Sequence, residues 1–260
     1  MSEQKSQQSA GKIAIVTGGS RGIGRNVVES LAKRGVHSIF TYHSHQAEAE
    51  TVIAAVKSAG AQAIAVQLDA GNVRSFDTFV QNVQSSLKSL GATRFDYLVN
   101  NAGNNHQNMP FEKTTEEELD NLYNVHFKGV FFLSQKLVPL INDGGRIVNV
   151  STGRTRIILP GGAAYGSMKG AIEVLTKYMA KELGPRRIAV NVVAPGAVET
   201  DFSGGMVRDN PEVNKHIAEL TALGRTGLPE DIGRMIASLL SEDNRWVNAQ
   251  RIEVSGGLAI

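Results

Sequence analysis

Tyr165 and Lys169 stand four residues apart in the stretch Ala-Ala-Tyr-Gly-Ser-Met-Lys-Gly. On a helix that spacing stacks both side chains on one face, about 5–6 Å apart at Cβ. A phenol titrates near pH 10, and an ammonium group beside it favours the phenolate. The pair is therefore suited to moving one proton to or from a substrate oxygen. Taken alone the spacing says little, since Tyr and Lys fall four apart on many surface helices. Its meaning depends on the residues that surround it.

The chain that must position this pair has 260 residues, 42% of them hydrophobic, with 27 glycines and seven prolines. That length fits one α/β domain with a sizeable core, expected over residues 11–260. The formal net charge of +2 gives no reason to expect a nucleic-acid or membrane partner. With no cysteine, disulfides, thiolate catalysis and Cys-based metal sites are excluded, and no His/carboxylate cluster has metal-site spacing. No apolar run approaches the roughly 20 residues that cross a bilayer. Residues 1–10 are polar, lack the apolar core of a secretory signal, and are expected to be a disordered tail on a soluble, cytoplasmic protein.

Short apolar runs alternate with longer amphipathic stretches. The runs at 12–17, 38–42, 63–67, 97–100, 146–151, 189–194 and 250–254 read as strands. Helical periodicity covers 22–33, 47–58, 75–90, 115–142, 165–183 and 229–241. Continuous runs such as Ile13-Ala-Ile-Val16 mark strands buried on both faces. The pattern predicts an α/β fold: a doubly wound parallel sheet (a Rossmann fold) with helices on both faces.

The first strand runs straight into Thr17-Gly18-Gly19-Ser20-Arg21-Gly22-Ile23-Gly24, which opens the first helix. Glycines there let the backbone approach a pyrophosphate, and the helix N-terminus adds N–H donors and partial positive charge. The spacing is Gly-x-x-x-Gly-x-Gly, and no Gly-Lys-Ser/Thr follows to suggest a P-loop.

Four segments in this order resemble the short-chain dehydrogenase/reductases over nearly the whole chain: Thr17–Gly24, Asn100-Asn101-Ala102-Gly103, Tyr165-x-x-x-Lys169, and Pro195-Gly196-Ala-Val198-Glu-Thr200. Within that family the chain resembles the β-ketoacyl-carrier-protein reductases and related carbonyl reductases. The resemblance implies reversible reduction of a ketone or aldehyde to an alcohol with a nicotinamide cofactor. Tyr165 would give the proton, and Lys169 would lower its pKa and hold the nicotinamide ribose. A hydroxyl thirteen residues before the tyrosine would polarise the substrate oxygen. That selects Thr152, with its neighbour Ser151 as the alternative. Asp69 would border the adenine; Asn100 to Gly103 would flank the adenosine ribose, through Asn101, Ala102 and Gly103, and steady the central sheet; Pro195, Gly196, Val198 and Thr200 would hold the carboxamide. Residues 202–215 would form a lid over the substrate, and a tetramer would be the assembly.

An NAD enzyme usually places an acid after its second strand, for the ribose 2′-OH. Here Thr41-Tyr-His43-Ser44-His45 fills that place, and the first carboxylate is Glu48. Arg21 offers a guanidinium fork to a 2′-phosphate, with His43 and Ser44 as further donors, so NADP is expected ahead of NAD. The chain departs from the family at His126. The pattern Asn-x-x-Gly-x-Phe reads His126-Phe-Lys-Gly129-Val-Phe131. A neutral imidazole titrates near neutrality and suits a proton relay; the alternative is a histidine tolerated at a helix bend. Arg154 and Arg156 offer attraction for an anionic substrate or an ordinary charged surface, and His106 a loop histidine near the substrate.

Overall fold

The computed structural model describes residues 11–104 and 109–260. The expected tail at 1–10 and His106 lie outside the described residues. The strands are β1 (Ile13–Val16), β2 (His37–Tyr42), β3 (Ala63–Gln67), β4 (Phe95–Asn100), β5 (Ile141–Val150), β6 (Ala189–Pro195) and β7 (Arg251–Val254). They form one sheet in the order β3-β2-β1-β4-β5-β6-β7, every neighbouring pair parallel. The order reverses between β1 and β4, which opens a crevice at their carboxyl ends, where such sheets bind ligands.

Between the strands run α1 (Gly22–Ala32), α2 (Gln46–Ser58), α3 (Phe76–Ser89), α4 (Glu116–Tyr123), α5 (Gly129–Leu137), α6 (Ala163–Leu183), α7 (Met206–Asp209), α8 (Pro211–Glu219) and α9 (Pro229–Leu239). Alternation along β1 divides the core. Ala14 and Val16 join Val27, Leu31, Phe40, Ile232 and Ile236 on one face, whereas Ile13 and Ile15 join Phe79, Leu98, Leu133 and Leu137 on the other. Each fully buried Val, Ile or Leu contributes roughly 1.5–3 kcal/mol. A sheet so covered can hold rigid the strained loops at its carboxyl end.

Two expectations change. The single helix expected over 115–142 is broken: α4 and α5 are joined by a π-turn at Asn124–Lys128, and β5 already begins at Ile141. Gly129 gives one reason for the break. A Cβ there would lie 2.0 Å from the Ala70 carbonyl oxygen, so the helix presses backbone to backbone against the loop after β3. Pro139, within a 3-10 turn at Val138–Leu140, ends the helical run. The expected lid at 202–215 is largely helical: a turn at Phe202–Gly205 leads into α7 and then α8, whose start is capped by Asn210 with Pro211 at the first position.

Candidate active site

The glycine loop is tied down from both sides. On one side Gly18 N donates to Thr41 Oγ1 at 2.9 Å, and Gly19 N to the Thr41 carbonyl at 2.8 Å. On the other, the Asn101 amide donates to the carbonyls of Thr17 (2.9 Å) and Gly18 (3.1 Å), while Asn101 N and Ala102 N donate to Thr17 Oγ1. The Asn101–Ala102 pair thus shapes the loop. Gly22 has φ +56°, and a Cβ on Gly24 would fall 2.1 Å from the Gly18 oxygen, so glycine is required at both. The first turn of α1 carries no acidic residue, and Arg21 gives it no side-chain cap. Its N–H groups face the crevice beside a backbone that excludes side chains, which suits a pyrophosphate.

Around this cradle the other expected contacts fall at strand ends. Ser20 is buried and Ile23 half-buried in the loop, and Gly22 packs near the Thr200 methyl, at 3.4 Å from a Cβ built on it. Pro195 ends β6; Gly196 N donates to the Val254 carbonyl, and Val198 bridges to Gly227. His43, Ser44 and Asp69 are exposed beyond β2 and β3. Ser44 shares a hydrogen bond with His45 at 3.1 Å, and Asp69 accepts from Gly71 N at 2.9 Å. Arg21 is half-exposed and 3.9 Å from Asp201. No carboxylate precedes Glu48 after β2, so on that side a 2′-phosphate would meet Arg21 and the two donors, with Asp201 the one carboxylate near the Arg21 guanidinium among the described residues.

Tyr165 and Lys169 lie on the first turns of α6, both buried. Lys169 Nζ donates to the Val150 carbonyl at 2.9 Å and sits 5.8 Å from the centre of the Tyr165 ring. Burial pushes the Tyr165 phenol up to about 12, against a hydrogen bond with Thr152 and the Arg154 guanidinium, which pull it down. Burial likewise drops Lys169 to about 8. Each group loses its hydration, so both favour their neutral forms. Tyr165 is held as a phenol at neutral pH, the form that donates a proton.

Thr152 and Ser151 part company. The Thr152 hydroxyl meets that of Tyr165 and accepts from Arg154 N, whereas Ser151 Oγ turns away to Glu173 Oε1 at 2.8 Å. His126 is buried, and the π-turn sets its ring edge-on to Tyr165 with centroids 5.2 Å apart. A side chain at Gly103 would meet the imidazole at 2.9 Å, so Gly103 makes room for it. Asn124, on the same turn, packs instead near Gly71. Arg156 is spent on a two-pronged bond to Glu253 and on the carbonyls of Leu258 and Ala259, so attraction of an anionic substrate is not its task.

Several contacts went unforeseen. The Phe202 ring lies 6.0 Å from that of Tyr165, forming one wall of the site from the lid turn. Thr41 anchors the glycine loop. Glu173, four residues after Lys169, continues the Tyr165–Lys169 face of α6, and that spacing was a signal available in the sequence.

A family profile described as enoyl-(acyl carrier protein) reductase matches residues 18–259. The chain belongs to the short-chain dehydrogenase/reductase family. It is 34% identical, over 98% of both chains, to the hydroxynaphthalene reductase-like protein Arp2 of Metarhizium brunneum. Among solved structures it is similar to the reductase LugOII, described as catalysing keto-reduction at C1 during lugdunomycin biosynthesis: 37% identity, TM-score 0.91, 96% of this chain and 99% of that one. The angucycline C-6 ketoreductase LanV, with bound NADP, matches at 36% identity and TM-score 0.90, over 95% of each chain. Among the described residues no helix is long and apolar enough to cross a membrane.

Proposed function

We propose that this protein is an NADPH-dependent carbonyl reductase that acts on a ring-bearing ketone. The observation that carries the reading is the buried Tyr165 with the Thr152 hydroxyl beside it, at the crevice that the glycine loop and Thr200 border. Gly18, Gly22, Gly24 and the first-turn N–H groups of α1 would hold the pyrophosphate, with Arg21, His43 and Ser44 on the 2′-phosphate and Lys169 near the nicotinamide ribose. When bound, the cofactor supplies hydride to the carbonyl carbon. Thr152 donates to the carbonyl oxygen, and Tyr165 delivers the proton as that oxygen gains charge. The names of LugOII, LanV and Arp2, together with the Phe202 ring against Tyr165, favour a planar cyclic ketone.

His126 is read as the relay that returns a proton to Tyr165, from its place edge-on to that ring. Replacing it by the family residue, His126→Asn, should keep turnover but remove any limb of the pH profile near neutrality; an unchanged profile would reduce His126 to packing. A tetramer is favoured by apolar residues left exposed on two helices, Leu119 and Tyr123 on α4 and Val174 and Tyr178 on α6. Light scattering on purified protein tests it. For the reaction itself, NADPH consumption is followed with a panel of cyclic aromatic ketones. Turnover with NADPH is expected. Tight NADPH binding without turnover on any ketone would instead make the protein a nucleotide-binding regulator.

A further inference from the structure

Behind the Thr152 hydroxyl lies a polar cluster that joins three elements distant in sequence. Glu173, on α6, gathers three donors on its Oε1 oxygen: Ser151 Oγ at 2.8 Å, Thr155 Oγ1 at 2.7 Å and Arg251 Nε at 2.9 Å. The first two flank Thr152 in sequence. Arg251, which opens β7, extends its Nη2 to Thr155 Oγ1 at 3.0 Å and to the Thr152 carbonyl at 3.3 Å. Thr155 Oγ1 lies a further 3.0 Å from that same carbonyl. The outer edge is closed by Glu253, which pairs with Arg251 at 3.0 Å and with Arg156, and accepts from Ser255 at 3.0 Å. Both Glu173 and Arg251 are mostly shielded from water, so these charge-assisted bonds are not screened as surface pairs are.

The geometry has a direction. A threonine hydroxyl that serves a carbonyl oxygen must be held to a fraction of an ångström, and Thr152 sits at a strand end where the backbone leaves the sheet. Its own main chain makes a short 3-10 turn from Gly153 to Thr155. The cluster fastens that turn at 151, at 155 and at the Thr152 carbonyl, and leaves the Thr152 side chain facing Tyr165. Glu173 rides on the helix that carries Tyr165 and Lys169, so the clamp fixes the turn relative to that helix.

We infer that Arg251 and Glu173 are positioning residues: together they set the Thr152 hydroxyl against Tyr165, so that the last strand of the sheet supports the proton-transfer site. The inference rests on the role given above to Thr152. Neither residue reaches the substrate. Arg251→Met removes the bond to the Thr152 carbonyl and takes from the Glu173 carboxylate its cationic partner, and Arg251→Lys keeps the positive charge but loses the fork.

The test is a double-mutant cycle against Thr152→Ala, with kcat, KM and NADPH Kd measured for each variant. Arg251→Met is expected to lower kcat about 10- to 100-fold, the range that small misplacements of catalytic groups produce, with NADPH Kd within about twofold. Arg251→Lys should recover part of the loss. In the Thr152→Ala background Arg251→Met should cost less than about twofold, because the group it positions is gone. The rising limb of alcohol oxidation against pH should also move to higher pH in Arg251→Met, since the Thr152 hydrogen bond favours the phenolate. Equal losses in both backgrounds, with an unmoved pH limb, would overturn the positioning role and leave a merely structural one. If Thr152→Ala itself keeps full kcat, the Thr152 assignment fails instead. Should Arg251→Met not fold, Glu173→Gln, nearly isosteric, carries the same cycle with the same two outcomes.

Discussion

At the amino end of the sheet, Lys12 donates to Asp96 at 2.9 Å, and Asp96 also accepts from Ile13 N and Asn142. The buried Arg146 there gives its guanidinium to the Leu240 carbonyl and to Glu242. At the carboxyl end, Lys169 is just as buried, yet burial is the one cause acting on its pKa, and its Nζ finds a carbonyl and no carboxylate among the described residues. One end answers each buried charge locally. The other withholds the partner, and burial shifts each group toward its neutral form. Perturbed, poorly compensated groups of this kind mark functional sites, and they cost stability that the rest of the fold must cover.

The sharpest way to break that contrast is Tyr165→Phe. It should lower carbonyl reduction by about 10²–10⁴-fold, the range of a lost general acid, while NADPH binding and thermal stability persist. Retained turnover would mean that the carboxyl-end groups are buried for packing alone. Arg21→Ala comes next. It should weaken NADPH about 10- to 100-fold, as loss of a charge-assisted bond does, and leave NADH within about twofold. Equal losses for the two cofactors, measured by fluorescence titration, would move the phosphate site elsewhere.

Asp96→Asn probes the opposite end. Lys12 and Ile13 N would lose their anionic acceptor, so unfolding in urea should show a loss of about 1–3 kcal/mol. The kcat of the folded enzyme should not change. A fall in kcat without a fall in stability would show that the two ends are not separable.

This division bears on how much the sequence could disclose. The glycine loop, the Tyr165–Lys169 pair and the alternation of strands and helices are local patterns, set by spacing and by residues with special backbone freedom, and they were legible. Thr152 was legible only down to a choice with Ser151. What separates the two is Glu173 and Arg251, 22 and 100 residues beyond Ser151, and such long-range bonds leave no local periodicity. The π-turn was hidden for a like reason. The helical pattern over 115–142 runs on without a sequence break until Pro139, and the press of Gly129 against the Ala70 backbone is a tertiary fact. The burial that pushes the Tyr165 phenol up also went unread, because spacing reports neighbours on one helix face and not desolvation. Helix α8 was a different matter, since Asn210-Pro211-Glu212 carried a start signal that a loop reading passed over.

Lys169→Met turns the comparison into a smaller but more specific test, because here the carboxyl end should gain stability by losing its charge. Burial holds Lys169 at about 8 in the folded chain, against 10.5 for its ordinary value. Below pH 8 the lysine is charged in both states, and the folded protein bears the full cost of burying it. Between about 8 and 10.5 the unfolded chain binds more protons than the folded one, so wild-type stability rises with pH through that window. Above it the lysine is neutral in both states and the cost is gone. Tyr165 shifts the opposite way, stabilising below pH 10 and losing that contribution toward about 12, but it is present in both proteins and largely cancels. Lys169→Met should therefore unfold at higher urea than wild type at pH 7, by about 1–2 kcal/mol. That is less than the ceiling that linkage sets, roughly 1.4 kcal/mol for each pKa unit between about 8 and 10.5, because the Val150 carbonyl loses its donor. The advantage should shrink as pH approaches 10, while kcat stays low throughout. A stability difference that does not change with pH would mean that Lys169 is not held neutral by burial, and the contrast between the two ends of the sheet would fall with it.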